Sequence, residues 1–278
     1  MKVQKSQRIR GLVAAAGVAA VVFGTALIAA NSTVVVSNLN SNGWAFFQET
    51  AVGTGSFVNG PGNPPLGSGS AQLTVNSTGR ELLGTQNHAG TNLADITQLE
   101  YSTYRQSGDS ALAASLQLQI DYDTTDANVA WQGRLVYEPY LTGATVTTGS
   151  WQTWDALAPS PGGAWWASGA PGNLVCPQSN PCNFSEVLAA FPNAAIWNDP
   201  RGAILFKAGG PWLSGFVGNV DAFTIGINND NTTYDFEFLQ TPANKDDCKK
   251  GGWESRFRAD GSAFKNQGDC IQYVNTGK

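Results

Sequence analysis

The stretch SLQLQIDYD (115–123) decides the fold class. Leu116, Leu118, Ile120 and Tyr122 alternate with Ser115, Gln117, Gln119 and Asp121, the period of a strand with one apolar and one polar face. The pattern returns further on. Phe223, Ile225 and Ile227 alternate with Ala222, Thr224 and Gly226, and Tyr234, Phe236 and Phe238 alternate with Asp235 and Glu237. The turn cluster NNDN (228–231) lies between these runs, so 220–238 reads as a hairpin. Weaker strand patterns fall at 33–37, 44–48, 71–75, 96–105, 135–137, 145–154 and 203–208. Roughly eight or more strands with almost no helix predict an all-β fold, a two-sheet jelly-roll-type sandwich over residues 31–242.

One short helix is expected at 183–191, with Asn183 or Ser185 as N-cap, Glu186 in the first turn and Pro192 after its end. The Gly- and Pro-rich run VGTGSFVNGPGNPPLGSG (52–69) reads as a long surface loop. No tandem repeat of a solenoid or propeller is visible.

Charged residues are only 13% of the 278, while hydrophobic residues are 42%, enough for a sizeable core. Residues 1–10 carry Lys2, Lys5, Arg8 and Arg10 and no acid, and 11–30 are uncharged and end in Ala29-Ala30. A basic start, an apolar run and a small-residue exit are the parts of a secretory signal peptide, with cleavage expected after Ala30. The competing reading is an uncleaved membrane anchor. Either way, the remainder is expected to be extracellular. Residues 31–242 hold five bases against sixteen acids, a net −11, and 243–278 hold seven bases against five acids, a net +2. An acidic body repels a phosphate backbone, which excludes nucleic acid as a natural partner.

Four cysteines in an exported chain pair. Proximity favours Cys176 with Cys182, around a five-residue turn, and Cys248 with Cys270, which would close a small C-terminal module over 243–278. With His88 the sole histidine and no CxxC, a zinc site has no ligand set. Asp121, Asp123 and Asp126 stand at a strand end with spacing compatible with Ca²⁺, without the glycine and twelfth-position Glu of an EF-hand. No other cofactor is expected.

Trp151, Trp154, Trp165 and Trp166 fall within sixteen residues, beside Asp155. Indole faces stack on the apolar faces of sugar rings. Trp151 and Trp154 differ by an odd spacing, so one of them belongs to the core, whereas Trp165-Trp166, flanked by glycines, reads as loop-borne. A polysaccharide platform of Trp154, Asp155, Trp165 and Trp166 is therefore expected, against the plainer alternative that these rings fill the sandwich. Two further readings stand beside it. One is a structural or adhesive surface protein without a sugar site. The other is a glycan hydrolase using Asp235 and Glu237, which share a strand face.

The tail motif DCKKGGW (247–253) followed by FKNQGDC (264–270) resembles a small cysteine-paired module that recurs at the ends of secreted bacterial proteins. The body, with GRLVYEP (133–139), WQTWD (151–155), Trp165-Trp166 and TYDFE (233–237), is similar to extracellular bacterial β-sandwich proteins and, more loosely, to concanavalin A-like and laminin-G-like sandwiches. That resemblance implies a jelly roll and ligand binding, and carries over no catalytic residue.

The N-terminal reading is checked by mass. Protein recovered from the medium of an expressing bacterial culture should lack residues 1–30, whereas full-length mass in the membrane fraction identifies the anchor.

Overall fold

The computed structural model describes residues 31–50, 52–210 and 214–278. The expected export segment lies outside them. Among the described residues no helix is long and apolar enough to cross a membrane. In chain order the strands are β1 (Asn31–Ser37), β2 (Trp44–Thr50), β3 (Gly53–Asn59), β4 (Gly69–Val75), β5 (Arg80–Thr85), β6 (Ile96–Ser107) and β7 (Ser115–Asp121). They continue with β8 (Arg134–Tyr137), β9 (Trp151–Asp155), β10 (Trp165–Ala167), β11 (Ala195–Ile196), β12 (Ile204–Gly209), β13 (Phe216–Ile227) and β14 (Asp230–Glu237). The first sheet runs β1-β14-β13-β4-β3, with β6 also paired to β13 and β9 outside β6. The second runs β10-β8-β7-β12-β5-β2, with β11 on β7. This is the expected two-sheet sandwich.

The inner faces carry the aromatic and aliphatic residues that the alternation assigns to them. Trp44 of β2 lies parallel to Phe206 of β12, with ring centroids 5.8 Å apart, and edge-on to Phe223, Tyr234 and Phe236 of the opposite sheet at 5.1–5.9 Å. All five rings are buried. The hairpin turn is tighter than expected: Asn228 and Asn229 alone form it, with φ of 52° and 70°, the left-handed pair of a type I′ turn that asparagine tolerates.

β13 serves three partners. β6 runs along one edge, while the other edge is shared by β14, from Phe223 to Ile227, and β4, from Phe216 to Val220. Between the two halves the register shifts and Ala222 takes a φ of 54°. A strand donor left over at this fork and a donor of the 60–68 loop are both taken by a side chain. Asp221, wholly buried, accepts Phe236 N–H at 3.0 Å and Leu66 N–H at 3.1 Å.

Several expectations are corrected here. Residues 53–59 are a strand, not part of a surface loop: Phe57 packs on Phe46 and Phe236, and glycine is required because a Cβ on Gly55 would stand 2.0 Å from Phe46 Cδ1. β5 shows no periodicity, because Arg80 and Glu81 are followed by only two apolar residues, Leu82 and Leu83, yet it is an interior strand, between β12 and β2. The strand expected at 145–154 begins only at Trp151, because Gln152 Oε1 takes Thr147 N–H at 2.6 Å and ties the preceding segment into a turn. Trp165-Trp166 is strand β10, paired with β8.

The expected helix is α2 (Phe184–Ala190), after a single turn, α1 (Gly172–Val175). Glu186 accepts Asn183 N–H at 2.7 Å, one half of a capping box. Phe184 and Val187 are buried, and Phe184 meets Trp165 at 5.5 Å. Both expected disulfides are present, Cys176–Cys182 and Cys248–Cys270. Residues 243–278 carry a second small apolar cluster of Cys248, Phe264 and Cys270, beside α3 (Gln267–Thr276). Arg258 lies 4.7 Å over the Phe264 ring and bonds Asp269 at 2.6 Å. The segment is tied to the sandwich by Phe257 N–H, which donates to Gln240 O at 2.9 Å.

Two carboxyls are locked inside this frame. Glu81, only 2% exposed, has no partner for Oε2 among the described residues, and burial pushes it up to about 7. Burial does the same to Asp221, to about 7, against the pull of its backbone donors. In the unfolded chain both ionise near the ordinary carboxylate range. Between about pH 4 and 7 the folded chain therefore holds protons that the unfolded chain has lost, and stability falls as pH rises through that window. Burial also raises Asp235, to about 6, and Glu138, so His88, whose pKa burial lowers, opposes four carboxyls. Melting should therefore occur at higher temperature near pH 5 than near pH 8, and Glu81→Gln should raise the melting temperature near pH 8 and flatten the profile. An unaltered profile in Glu81→Gln would show that this carboxyl does not titrate in the window.

Candidate functional site

The platform expected from Trp154, Asp155, Trp165 and Trp166 is not one surface. Trp165 is 1% exposed, its Nε1 donates to Ala156 O at 2.7 Å, and its ring lies between Tyr137 and Phe184. Trp154 is 5% exposed and donates to Thr103 Oγ1 at 2.8 Å. Neither ring has a free face, and both are core. Asp155 ends β9 in the other sheet and caps a turn, accepting Leu157 N–H at 2.9 Å and Ala158 N–H at 3.1 Å. Trp151 leans on Tyr104 and donates to Pro61 O at 2.9 Å. Trp166 points outward from the second sheet, because strand alternation sends it to the face opposite Trp165.

That outer face belongs to the second sheet. Ser115, Gln117 and Gln119 of β7 share it with Arg134 of β8, Leu205 and Lys207 of β12, and Arg80 and Leu82 of β5, as the cross-strand registers show. Sequence alternation predicts a solvated polar face here. Instead Gln117 is 6% and Gln119 0% exposed. Their amides are drawn into a network with Arg134, whose Nη1 donates to Gln117 Oε1 at 3.3 Å and whose Nε donates to Gln119 Oε1 at 3.4 Å. Trp131 Nε1 adds a 2.6 Å bond to Gln119 Oε1.

Glu49, at the end of β2, anchors the cations. It accepts Arg134 Nη2 at 2.9 Å and Lys207 Nζ at 2.5 Å, with Arg201 Nη1 at 3.8 Å. Burial would raise its pKa, but Lys207 and then Arg134 outweigh burial and hold it below the ordinary value. Lys207 is itself lowered, by burial first and then by the charges of Arg134 and Arg80, against the pull of Glu49. Three cations are thus within electrostatic reach of one another.

Beside this network the face opens into a groove of about 480 Å³, lined by Arg80, Ser115, Gln117, Glu138, Tyr140, Trp166, Gln178 and Lys207. The size falls within the range of small-ligand sites. Trp166 is half-buried and Tyr140 is 38% exposed. Burial raises the Glu138 carboxyl, while the Tyr140 hydroxyl and the Trp166 indole, both facing it, pull the other way. Trp166 Nε1 and Glu138 Oε2 nevertheless close no hydrogen bond among the described residues. Tyr140 is pushed up to about 12 by burial and then by the charge of Glu138. The Cys176–Cys182 loop supplies Gln178 and holds β10 in place: Cys182 N–H donates to Trp165 O at 2.7 Å, and Ala167 N–H donates to Cys176 O at 2.8 Å. The arrangement combines an aromatic face with donors and acceptors on several sides.

The other carboxyls singled out by sequence are placed differently. Asp121, Asp123 and Asp126 each accept a backbone N–H two residues on, at 2.7–3.1 Å, forming successive turn caps. Among the described residues no group of three or more potential ligands stands together. Asp235 and Glu237 border a second cavity, of about 450 Å³, between β14 and residues 254–257. Glu237 is engaged by Ser68 N–H at 2.6 Å and Gly69 N–H at 3.1 Å, so it pins the 60–68 loop. The two lie on one strand rather than across a cleft.

Sequence reading missed Arg80, Gln117, Glu138, Tyr140, Gln178 and Lys207, because they are spread over 128 positions and only the sheet order brings them together. The one available signal was the scarcity of bases in 31–242.

No family model matches the chain, and no curated protein matches it. Among solved structures it is similar to the family 11 carbohydrate-binding module of the cellulosomal cellulase Lic26A-Cel5E of Clostridium thermocellum, with a TM-score of 0.34 and 12% identity over 64% of this chain and 84% of that one. A family 11 module from Clostridium thermocellum in complex with a β-1,3-1,4-mixed-linked tetrasaccharide gives a TM-score of 0.34 and 12% identity, over 64% and 86%. TmCBM61 in complex with β-1,4-galactotriose gives 0.33 and 9%, over 66% and 88%. At this level the likeness is to the β-sandwich alone.

Proposed function

We propose that this chain is an exported, non-catalytic binding protein that takes a polysaccharide segment into the groove on the outer face of the second sheet. The observation that carries the reading is Trp166: a half-buried indole that lines the groove beside Tyr140, with the Glu138 carboxyl and the Gln117 and Gln178 amides around it. A sugar ring offers an apolar face for the indole to stack on and hydroxyls for the polar groups around it. Gln117, Gln178 and Glu138 line the same groove and supply further hydrogen-bonding groups, and Tyr140 gives a second aromatic surface. The rigid supports beneath them, a paired β10 and a disulfide loop, suit recognition by a preformed site. Two disulfides among the described residues accord with an oxidising exterior.

A stacked ring is worth about 1 kcal/mol beyond area burial, so one or two rings give weak affinity. Affinity electrophoresis in gels containing soluble polysaccharides, followed by titration, should show saturable binding that Trp166→Ala weakens about fivefold without lowering the melting temperature. Trp165→Ala should instead destabilise the fold by about 3–5 kcal/mol, as for a deleted core tryptophan. Undiminished binding by Trp166→Ala would remove the groove from the reading. Release of reducing ends would replace binding with hydrolysis and direct mutagenesis to Asp235 and Glu237.

A further inference from the structure

We propose that the groove selects acidic polysaccharides, those whose sugar rings carry a carboxylate, and that Arg80 is the residue that receives it. The inference rests on the binding reading above and adds to it the charge of the ligand.

The argument begins with the distribution of bases. Residues 31–242 contain only five, Arg80, Arg105, Arg134, Arg201 and Lys207, against sixteen acids. Random placement would scatter them. Arg105 is used structurally, donating to the carbonyls of Gly108, Asp109 and Val146. The other four converge on the outer face of the second sheet. Arg134, Arg201 and Lys207 gather on Glu49, and Arg201 also pairs with Asp199 at 3.0 Å. Arg80 lies across from them on β5, with Lys207 lining the same groove. Four cations therefore meet three carboxyls, Glu49, Asp199 and Glu138, on a body whose net charge is −11. A local positive surface on a strongly negative body is a selective device, since long-range repulsion discourages indiscriminate polyanion binding while the groove attracts a carboxylate at short range.

Arg80 is the member with capacity to spare. Arg134, Arg201 and Lys207 each have a carboxylate partner. The Arg80 side chain has no hydrogen bond or ion pair among the described residues, although the residue is only partly exposed and stands against Gly210, where an added Cβ would lie 3.0 Å from its Nε. A guanidinium presents a planar fork that matches a carboxylate with two bonds. A uronate ring stacked beside Trp166 carries its carboxylate at the ring periphery, where such a fork can reach it. Neutral sugars offer nothing that uses this charge.

The test compares polygalacturonate and alginate with their carboxyl-reduced neutral forms, with xyloglucan as a neutral reference and dextran sulfate as a polyanion lacking carboxylates. Titration of the whole chain should show at least one acidic polymer bound about tenfold more tightly than its reduced form, with the preference shrinking as salt rises toward about 1 M. Arg80→Gln should abolish that preference and Arg80→Lys, which keeps the charge but loses the fork, should retain only part of it. Lys245→Gln, an exposed tail lysine, should change nothing. Binding of the carboxyl-reduced polymers at undiminished affinity by Arg80→Gln guards against loss of binding through misfolding. Equal binding of acidic and reduced polymers, or of xyloglucan alone, would overturn the charge selection and leave the polysaccharide reading standing. Binding of dextran sulfate as tight as that of the uronans, and insensitive to Trp166→Ala, would reduce the face to a simple cation patch and overturn the inference. Binding of none would overturn both readings.

Discussion

Trp44 packs flat on Phe206 and edge-on against Phe223, Tyr234 and Phe236, and the parity of every strand around it follows from that contact. Once those rings face inward, a two-residue period leaves no choice for their neighbours. Phe206 inward places Leu205 and Lys207 outward. Leu116 and Leu118 inward place Gln117 outward, and Tyr137 inward places Val136 and Glu138 on the opposite side. Trp165, drawn into the core between Tyr137 and Phe184, turns Trp166 out. The groove is the reverse side of the core.

The two faces of the second sheet are also coupled energetically. An outer sheet face would ordinarily be solvated, yet Leu82, Gln119 and Leu205 are wholly buried. The polar groups there are retained by mutual satisfaction: Glu49 holds Arg134 and Lys207, and Arg134 holds Gln117 and Gln119. A buried network of this kind demands nearly complete pairing, because an unpaired member in a low-dielectric setting is costly. One donor of this network, Gln119 Nε2, stays unpaired among the described residues, and at the groove Trp166 Nε1 and Glu138 Oε2 are buried against one another without closing a hydrogen bond.

β13 shows how the first sheet accommodates many partners. Its edge is divided between β4 and β14, and the break is sealed by the Asp221 carboxylate. Glu237 does the equivalent for the 60–68 loop through Ser68 and Gly69. Acidic side chains that a sequence reader would assign to catalysis are here substitutes for missing backbone acceptors. Asp155, Asp123 and Asp126 serve in turns in the same manner.

Alternation alone identified β7, β13 and β14, hence the all-β class, because these strands have one apolar face and a local period is visible within a few residues. Capping chemistry placed a helix at 183–191, where the structure has Phe184–Ala190, and cysteine proximity paired Cys176 with Cys182 and Cys248 with Cys270; these too are local. β3 and β5 escaped because glycines forced by close approach to Phe46, and a buried Glu81, do not look like strand residues. Which tryptophan belongs to the core could not be read from spacing, since Trp165 and Trp166 are chemically identical neighbours and only pairing of β10 with β8 decides which one turns inward. The groove is further removed from sequence still. Arg80, Gln117, Glu138, Trp166 and Lys207 come from five different strands or strand ends, and their meeting depends on the order of strands across the sheet, which no short-range pattern encodes.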